Sequence, residues 1–251
     1  MNQNIRYKDH TIIFKNLLTT GENVDKKVRN GNLYETPDHN FDLLLNFLKP
    51  GNIVYDIGAY IGSFSIPMAL EGMKVHAFEG FPDNFERLRE NCGPYESIVP
   101  HPVAVSNEGS LVTTKFNDCR DIPREEREIT YVVLDDYLKE KDVEKPDFIK
   151  LDIEGMETVA LWGMKNLLEN VRPIWQIGYH VGLDVSYEGY PGFVKPEDGG
   201  FNFNRFPELG YKVYNGNIGE PSFGYRMDDH QQFAGWGEYI CIPEEKIKRK
   251  L

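Results

Sequence analysis

Apolar residues fall along the chain in two alternating rhythms: short, mostly apolar runs of four to eight positions, and longer stretches where they return every three or four. Ile53 to Ile57, Lys74 to Phe78, Ile98 to Val105, Phe148 to Ile153 and Ile174 to Ile177 are of the first kind and read as buried strands. Between them, Phe64, Met68 and Ala69, then Phe85 and Leu88, then Met156, Val159, Ala160, Met164, Leu167 and Leu168 keep a helical period. Strand and helix alternate, so the pattern predicts an α/β chain with a doubly wound, mostly parallel sheet. Pro67 lies inside the first of these helical stretches and is expected to kink it or shift its start.

The flanks depart from this rhythm. His10 to Phe14 suggests a strand or hairpin in a polar N-terminal extension, taken as residues 1–34, that packs on the main domain of residues 35–251. Thr36-Pro37 reads as the cap and first position of a helix whose Phe41, Leu44, Leu45 and Leu48 share a face. Leu111 to Phe116 and Ile129 to Leu134 suggest a hairpin before the Phe148 strand. Tyr211 to Tyr214 and Tyr239 to Ile242 close the chain as an antiparallel β-hairpin. Two long aromatic-rich loops, 182–207 and 219–238, carry no helical period, and loops of that length in a compact domain are commonly functional.

Composition changes the picture only in what it excludes. At 251 residues and 40% hydrophobic content the chain can build one large core. Its net charge of −12 argues against a polyanionic partner, so nucleic acid is not expected. The Lys246 to Lys250 cluster reads as a solvated end. The opening Met1-Asn2-Gln3-Asn4 lacks the apolar core of a secretion signal and no run reaches membrane-spanning length, which points to a soluble, cytoplasmic protein without membrane association. Cys92, Cys119 and Cys241 lack metal-ligand spacing and are expected to be free thiols.

The chemistry concentrates where strands end. Asp56-Ile57-Gly58-Ala59-Tyr60-Ile61-Gly62 joins the first strand to its helix through two glycines, which let a ligand approach the main chain. Glu79 ends the next strand, 23 positions after Asp56, where an acid can accept from both hydroxyls of a ribose. A nicotinamide site wants three glycines in G-x-G-x-x-G. Here there are two, led by an acid that disfavours a pyrophosphate and suits an ammonium-bearing ligand, so S-adenosyl-L-methionine is the expected cofactor. Asp56 is expected to act through a water or by holding the loop.

Three stretches, Val54 to Gly62, Thr130 to Leu138 and above all Ile149-Lys150-Leu151-Asp152-Ile153-Glu154-Gly155-Met156-Glu157, resemble the FkbM-type methyltransferases, with a weaker echo over Trp236 to Pro243. The resemblance implies a class I (Rossmann-like) methyltransferase fold and O-methylation of a sugar, glycan or other small hydroxylated molecule. Glu35, Asp56, Gly58, Ala59, Tyr60, Gly62, Glu79, Gly80 and Asp152 are assigned to the cofactor. Such proteins often end the fifth strand in Glu-x-His, whereas here Gln176, Ile177, Gly178, Tyr179 and His180 occupy the region.

Transfer to a hydroxyl needs a base, and Asp152 and His180 are the two candidates. Glu154 is read as structural, an acid favoured at a helix start. Tyr225, Asp228, His230 and Trp236 are assigned to the acceptor. Mg²⁺ held by Asp152, Glu154 and His180, with Asp228 to His230 contributing, is compatible with the sequence but not required by it. Rival readings are methyl transfer to the oxygen or nitrogen of another metabolite, a cofactor-binding module without turnover, and a nicotinamide oxidoreductase, which the missing third glycine disfavours.

Overall fold

A computed structural model describes residues 2–18, 24–31, 33, 44–114, 126–179, 203–215 and 237–247. The chain divides into two compact units, Met1–Ala104 with Leu111–Thr130, and Val105–Ser110 with Tyr131–Leu251.

The first unit opens with an antiparallel hairpin, β1 (Gln3–Tyr7) and β2 (His10–Phe14), which turns through Lys8 at a φ of 50°. Helix α1 (Val24–Arg29) follows. The expected βαβαβ run is then present: β3 (Ile53–Ile57), α2 (Ser65–Leu70), β4 (Lys74–Phe78), α3 (Pro82–Cys92) and β5 (Ile98–His101). The three strands are parallel in the order β3-β4-β5. Four of the five β3 residues are buried, and the strand therefore reads as an apolar run rather than an alternation. Pro67 sits in the first turn of α2, where an amide has no intrahelical partner, so the helix accommodates it by starting at Ser65. Of the helix expected after Thr36-Pro37, only its end from Leu44 lies within the described residues.

The run from Ile98 to Val105 is not one strand. Pro102 cannot donate, Val103 N bonds back to His101 O, and β6 (Ala104–Ser106) leaves the parallel sheet. It joins β7 (Ser110–Thr114) and β8 (Arg127–Val133) in a small sheet of order β6-β8-β7, so the expected hairpin carries a third strand.

In the second unit, α4 (Leu134–Glu140) precedes β9 (Phe148–Leu151), which pairs in parallel with β10 (Ile174–Tyr179). The helix between them is shorter than its periodicity suggests. Helix α5 (Glu157–Trp162) stops at Gly163, where a Cβ would lie 2.0 Å from Ser106 O. Helical structure resumes under a cap supplied by Asp135, whose carboxylate accepts from Asn166 N at 2.6 Å and Leu167 N at 3.2 Å, and ends in a π-turn over Leu167–Val171.

The terminal strands β11 (Tyr211–Asn215) and β12 (Gly237–Pro243) are antiparallel to each other, as expected. The last strand is antiparallel to β10 as well, so β12 lies between β10 and β11. A single helical turn, α6 (Arg205–Glu208), occupies the end of the loop read as aperiodic over 182–207. Its Phe206 is buried against Trp175, Tyr211 and Phe203, so these aromatics of the loop belong to the core. A final turn, α7 (Glu244–Ile247), follows β12. Among the described residues no helix is long and apolar enough to cross a membrane, and Cys92 and Cys241 are free and buried.

Candidate functional site

The β3–α2 turn packs three left-handed residues into five positions: Gly58 (φ 84°), Tyr60 (φ 52°) and Gly62 (φ 87°). Glycine adopts this at no steric cost, but a tyrosine there is strained by roughly 1–2 kcal/mol. Gly62 is required for a second reason, because a Cβ would sit 2.9 Å from Cys92 Sγ on α3. Asp56, fully buried at the end of β3, accepts from Ser65 Oγ at 2.6 Å and so ties the strand to the first residue of α2. Holding the loop is one of the two roles expected of it.

The amides of the turn point inward. Gly58 N and Ala59 N both donate to Phe78 O at 3.0 Å, and Tyr60 N donates to Glu79 Oε2 at 2.9 Å. Phe81 N donates to the other oxygen, Oε1, also at 2.9 Å. With these donors engaged inside the protein, the turn is a poor cradle for a pyrophosphate, which recruits free amides. Glu79 is held by both oxygens at the end of β4. A carboxylate carries about four acceptor positions, so two amides leave capacity for a pair of vicinal hydroxyls. The Glu79 carboxylate fits the ribose of an adenosine. Gly80 has a packing reason of its own, since a Cβ there would meet Ala104 Cβ at 2.5 Å.

Behind the turn, Tyr60 OH and Arg87 both bond the carboxylate of Asp25, which is buried on α1 and also accepts from Leu18 N at 2.8 Å. Arg87 Nη1 donates to Tyr60 OH at 3.2 Å, and its guanidinium lies 5.0 Å from the centre of the tyrosine ring. Burial works against the Arg87 charge, but Tyr60 and Asp25 outweigh it and hold its pKa above the usual arginine value. Sequence reasoning passed over Asp25 and Arg87. A lone acid and a lone base 62 positions apart give no local signal.

In the second unit, Asp152 follows β9 with its side chain 26% exposed, and Lys150 Nζ lies 3.3 Å from Asp152 Oδ2. Lys150 itself is buried. Glu154 is exposed and lies in the turn before the helix, at a φ of 54°, not in the helix start. The acid that serves the helix start is Glu157, buried in the first position of α5, whose Oε1 accepts from Ile153 N at 3.1 Å and Gly155 N at 3.0 Å. Lys150 and Glu157 were readable only as members of the Ile149 to Glu157 stretch. On β10, Gln176 Nε2 donates to the carboxylate of Glu238 on β12.

The sites expected from sequence therefore fall into three groups. Asp56, Gly58, Ala59, Tyr60, Gly62, Glu79 and Gly80 come together on one turn and one strand end of the first unit. Asp152 stands with Lys150 in the second unit. Glu35, His180, Tyr225, Asp228, His230 and Trp236 lie outside the described residues, as do the remaining proposed Mg²⁺ ligands apart from Asp152 and Glu154.

Alternating parallel strands and helices, a glycine turn after the first parallel strand and an acid ending the second define a class I, Rossmann-like methyltransferase fold. A solved structure, the methyltransferase FkbM from Methylobacillus flagellatus KT, has the same fold, with a TM-score of 0.50 and 20% identity over 77% of this chain and 44% of that one. The chain belongs to the family defined by the methyltransferase FkbM domain, whose model matches residues 56–213. It is similar to the hexuronic acid methyltransferase AglP of Haloferax volcanii, 28% identical over 165 residues, covering 57% of this chain and 62% of that protein. It is also similar to the 31-O-demethyl-FK506 methyltransferase FkbM of Streptomyces tacrolimicus, 28% identical over 160 residues, covering 47% of this chain and 62% of the relative. The chain thus spans under two thirds of the length of either curated relative.

Proposed function

We propose that this chain transfers a methyl group from S-adenosyl-L-methionine to a hydroxyl of a sugar or glycan. The observation that carries the cofactor assignment is Glu79, a strand-end carboxylate clamped by the amides of Tyr60 and Phe81. Bound there, the cofactor would supply a methyl group on a positively charged sulfur. Glu79 would accept from the ribose hydroxyls, while the turn from Gly58 to Gly62, held in shape by Asp56, would receive the methionine end. Glu35 and Gly80 belong to the same assignment.

Asp152 or His180 would take the proton from the acceptor hydroxyl as its oxygen bonds to the methyl carbon and the bond from that carbon to sulfur breaks, leaving S-adenosylhomocysteine. Lys150 would direct the Asp152 carboxylate from the buried side. Tyr225, Asp228, His230 and Trp236 would hold the acceptor, and Mg²⁺ is not required by this scheme. The sugar reading is favoured by the similarity to a protein named a hexuronic acid methyltransferase. The similarity to a 31-O-demethyl-FK506 methyltransferase favours a second reading, a hydroxyl on a metabolite other than a sugar.

Calorimetric titration with S-adenosylhomocysteine, followed by a labelled methyl-transfer screen over uronic acids, neutral sugars, their nucleotide-linked forms and non-sugar alcohols, tests both parts. Binding with transfer to a sugar is the expected result. Transfer confined to non-sugar alcohols selects the second reading, and folded protein that binds no S-adenosylhomocysteine overturns the cofactor assignment.

A further inference from the structure

Tyr60 occupies the middle of the cofactor turn in a conformation a tyrosine rarely adopts, and it is gripped at both ends. Its amide donates to Glu79, and its hydroxyl bonds Asp25 and Arg87. A left-handed non-glycine residue persists only where its surroundings over-determine it. Here the surroundings are not the turn itself but the N-terminal segment. Asp25 is brought in by α1, and Leu18 N and Arg29 lock that helix to the preceding strand's exit through Asp25 and Leu18 O. Arg87 is aimed by Asn16 O, which accepts from its Nε at 3.1 Å. Lys15 N, donating to Asn91 Oδ1 at 2.7 Å, and Asn91 Nδ2, donating to Ile61 O at 3.0 Å, make a second strut to the same turn.

We propose that residues 15–18 and 24–29 form a brace that presets the cofactor turn, with Asp25, Arg87 and the Tyr60 side chain as positioning groups that set cofactor affinity by fixing Glu79. The inference rests on the reading of Glu79 as the ribose ligand. Through Asp25 and Tyr60, the N-terminal segment fixes the amide that orients one carboxylate oxygen of Glu79. The Tyr60 backbone is the part assigned to the cofactor, and its side chain belongs to the brace.

The test uses the full chain, with calorimetric titration by S-adenosylhomocysteine well below the melting temperature and hydrogen exchange at the Tyr60 amide. Asp25→Asn and Tyr60→Phe are each expected to weaken binding about tenfold, the loss of one charge-assisted bond, and to speed exchange at Tyr60. The double variant is expected to bind no worse than the weaker single, because both act through one path. Lys8→Ala, which removes an ion pair to Glu71 outside the brace, is expected to leave affinity unchanged.

A merely structural role would lower the melting temperature with affinity intact, and affinity within twofold of wild type in folded Tyr60→Phe overturns the proposal. So does a double variant whose loss is the product of the two singles. Should Asp25→Asn not fold, Tyr60→Phe decides alone, since it deletes one hydroxyl and keeps the packing. Wild-type protein that binds no S-adenosylhomocysteine refutes the cofactor reading instead; unchanged exchange at Tyr60 in the variants then still refutes the brace.

Discussion

Replacing Glu79 by Gln tests the centre of the site with the least change of shape. Both Glu79 oxygens accept a backbone amide at 2.9 Å, and the residue is 8% exposed. A glutamine keeps one acceptor and turns the other position into a donor, so either Tyr60 N or Phe81 N faces an N–H. The loss is one charge-assisted bond and a stranded amide, about 1.5–3 kcal/mol. At about 2–4 °C per kcal/mol for a chain of this size, the melting temperature should fall by about 3–12 °C. If the same carboxylate holds the ribose, affinity for S-adenosylhomocysteine should fall about 10- to 100-fold as well. Differential scanning calorimetry and isothermal titration read the two effects separately. Wild-type melting and wild-type affinity together would refute the reasoning; a lowered melting temperature with unchanged affinity would retain the clamp and remove the ribose role.

Three further outcomes follow from other places in the molecule. Gly163→Ala should cost at least about 3 kcal/mol, because its Cβ would sit 2.0 Å from Ser106 O, whereas Gly93→Ala, with φ −50° and no atom closer than 3.4 Å, should be neutral or gain about 0.5 kcal/mol; equal urea midpoints would contradict this. His101, buried and stacked on Phe78 with His76 Nδ1 3.0 Å from its Nε2, has its pKa lowered to about 4 by burial and by His76. Its contribution is fully present above the unfolded value near ~6.5 and is lost as pH falls from there through about 4, so His101→Phe should flatten the stability–pH curve in that window, read from urea midpoints at several pH values. If Asp152 is the base, Asp152→Asn should lower kcat at saturating cofactor by about 100-fold or more, and His180→Gln should not; the reverse pattern in steady-state kinetics assigns His180.

Strands β3 and β9 were legible because each is buried on both faces and its signal is simply a mostly apolar run. β3 and β4 fall where the pattern puts them, and so does the start of α3, because Pro82 marks a first turn by its own chemistry. Where a distant atom decides, the pattern misleads. The helical period continues from Met156 through Leu168, yet the helix breaks at Gly163 because Ser106 O, 57 positions earlier in the chain, needs the space of its missing side chain. The insertion of β12 between β10 and β11 is equally invisible locally, since β10, its partner on one side, is remote from it in sequence. A one-turn helix such as α6 is too short to show a period at all.

The candidate site divides along the same line. Gly58, Gly62 and Glu79 announce themselves through spacing, because a turn needing positive φ and a strand-end acid are local requirements. What those residues do is set from elsewhere. Tyr60 reads as an ordinary member of the turn, yet its hydroxyl belongs to a buried carboxylate 35 positions earlier. Glu154 reads as the acid of the helix start, yet at φ 54° it lies outside the helix and the amides bond Glu157. In both places the motif names the position and a partner outside it supplies the orientation. A carboxylate or an amide selects a ligand only when its direction is fixed, so the residues that fix direction carry part of the specificity while leaving no periodic trace. Asp25 and Arg87 in the first unit, and Lys150 and Glu157 in the second, are buried charged groups with named partners. Burying such groups costs several kcal/mol unless the partners are in place, which is why a buried charge beside a motif is the feature to search for next to any glycine turn of this kind.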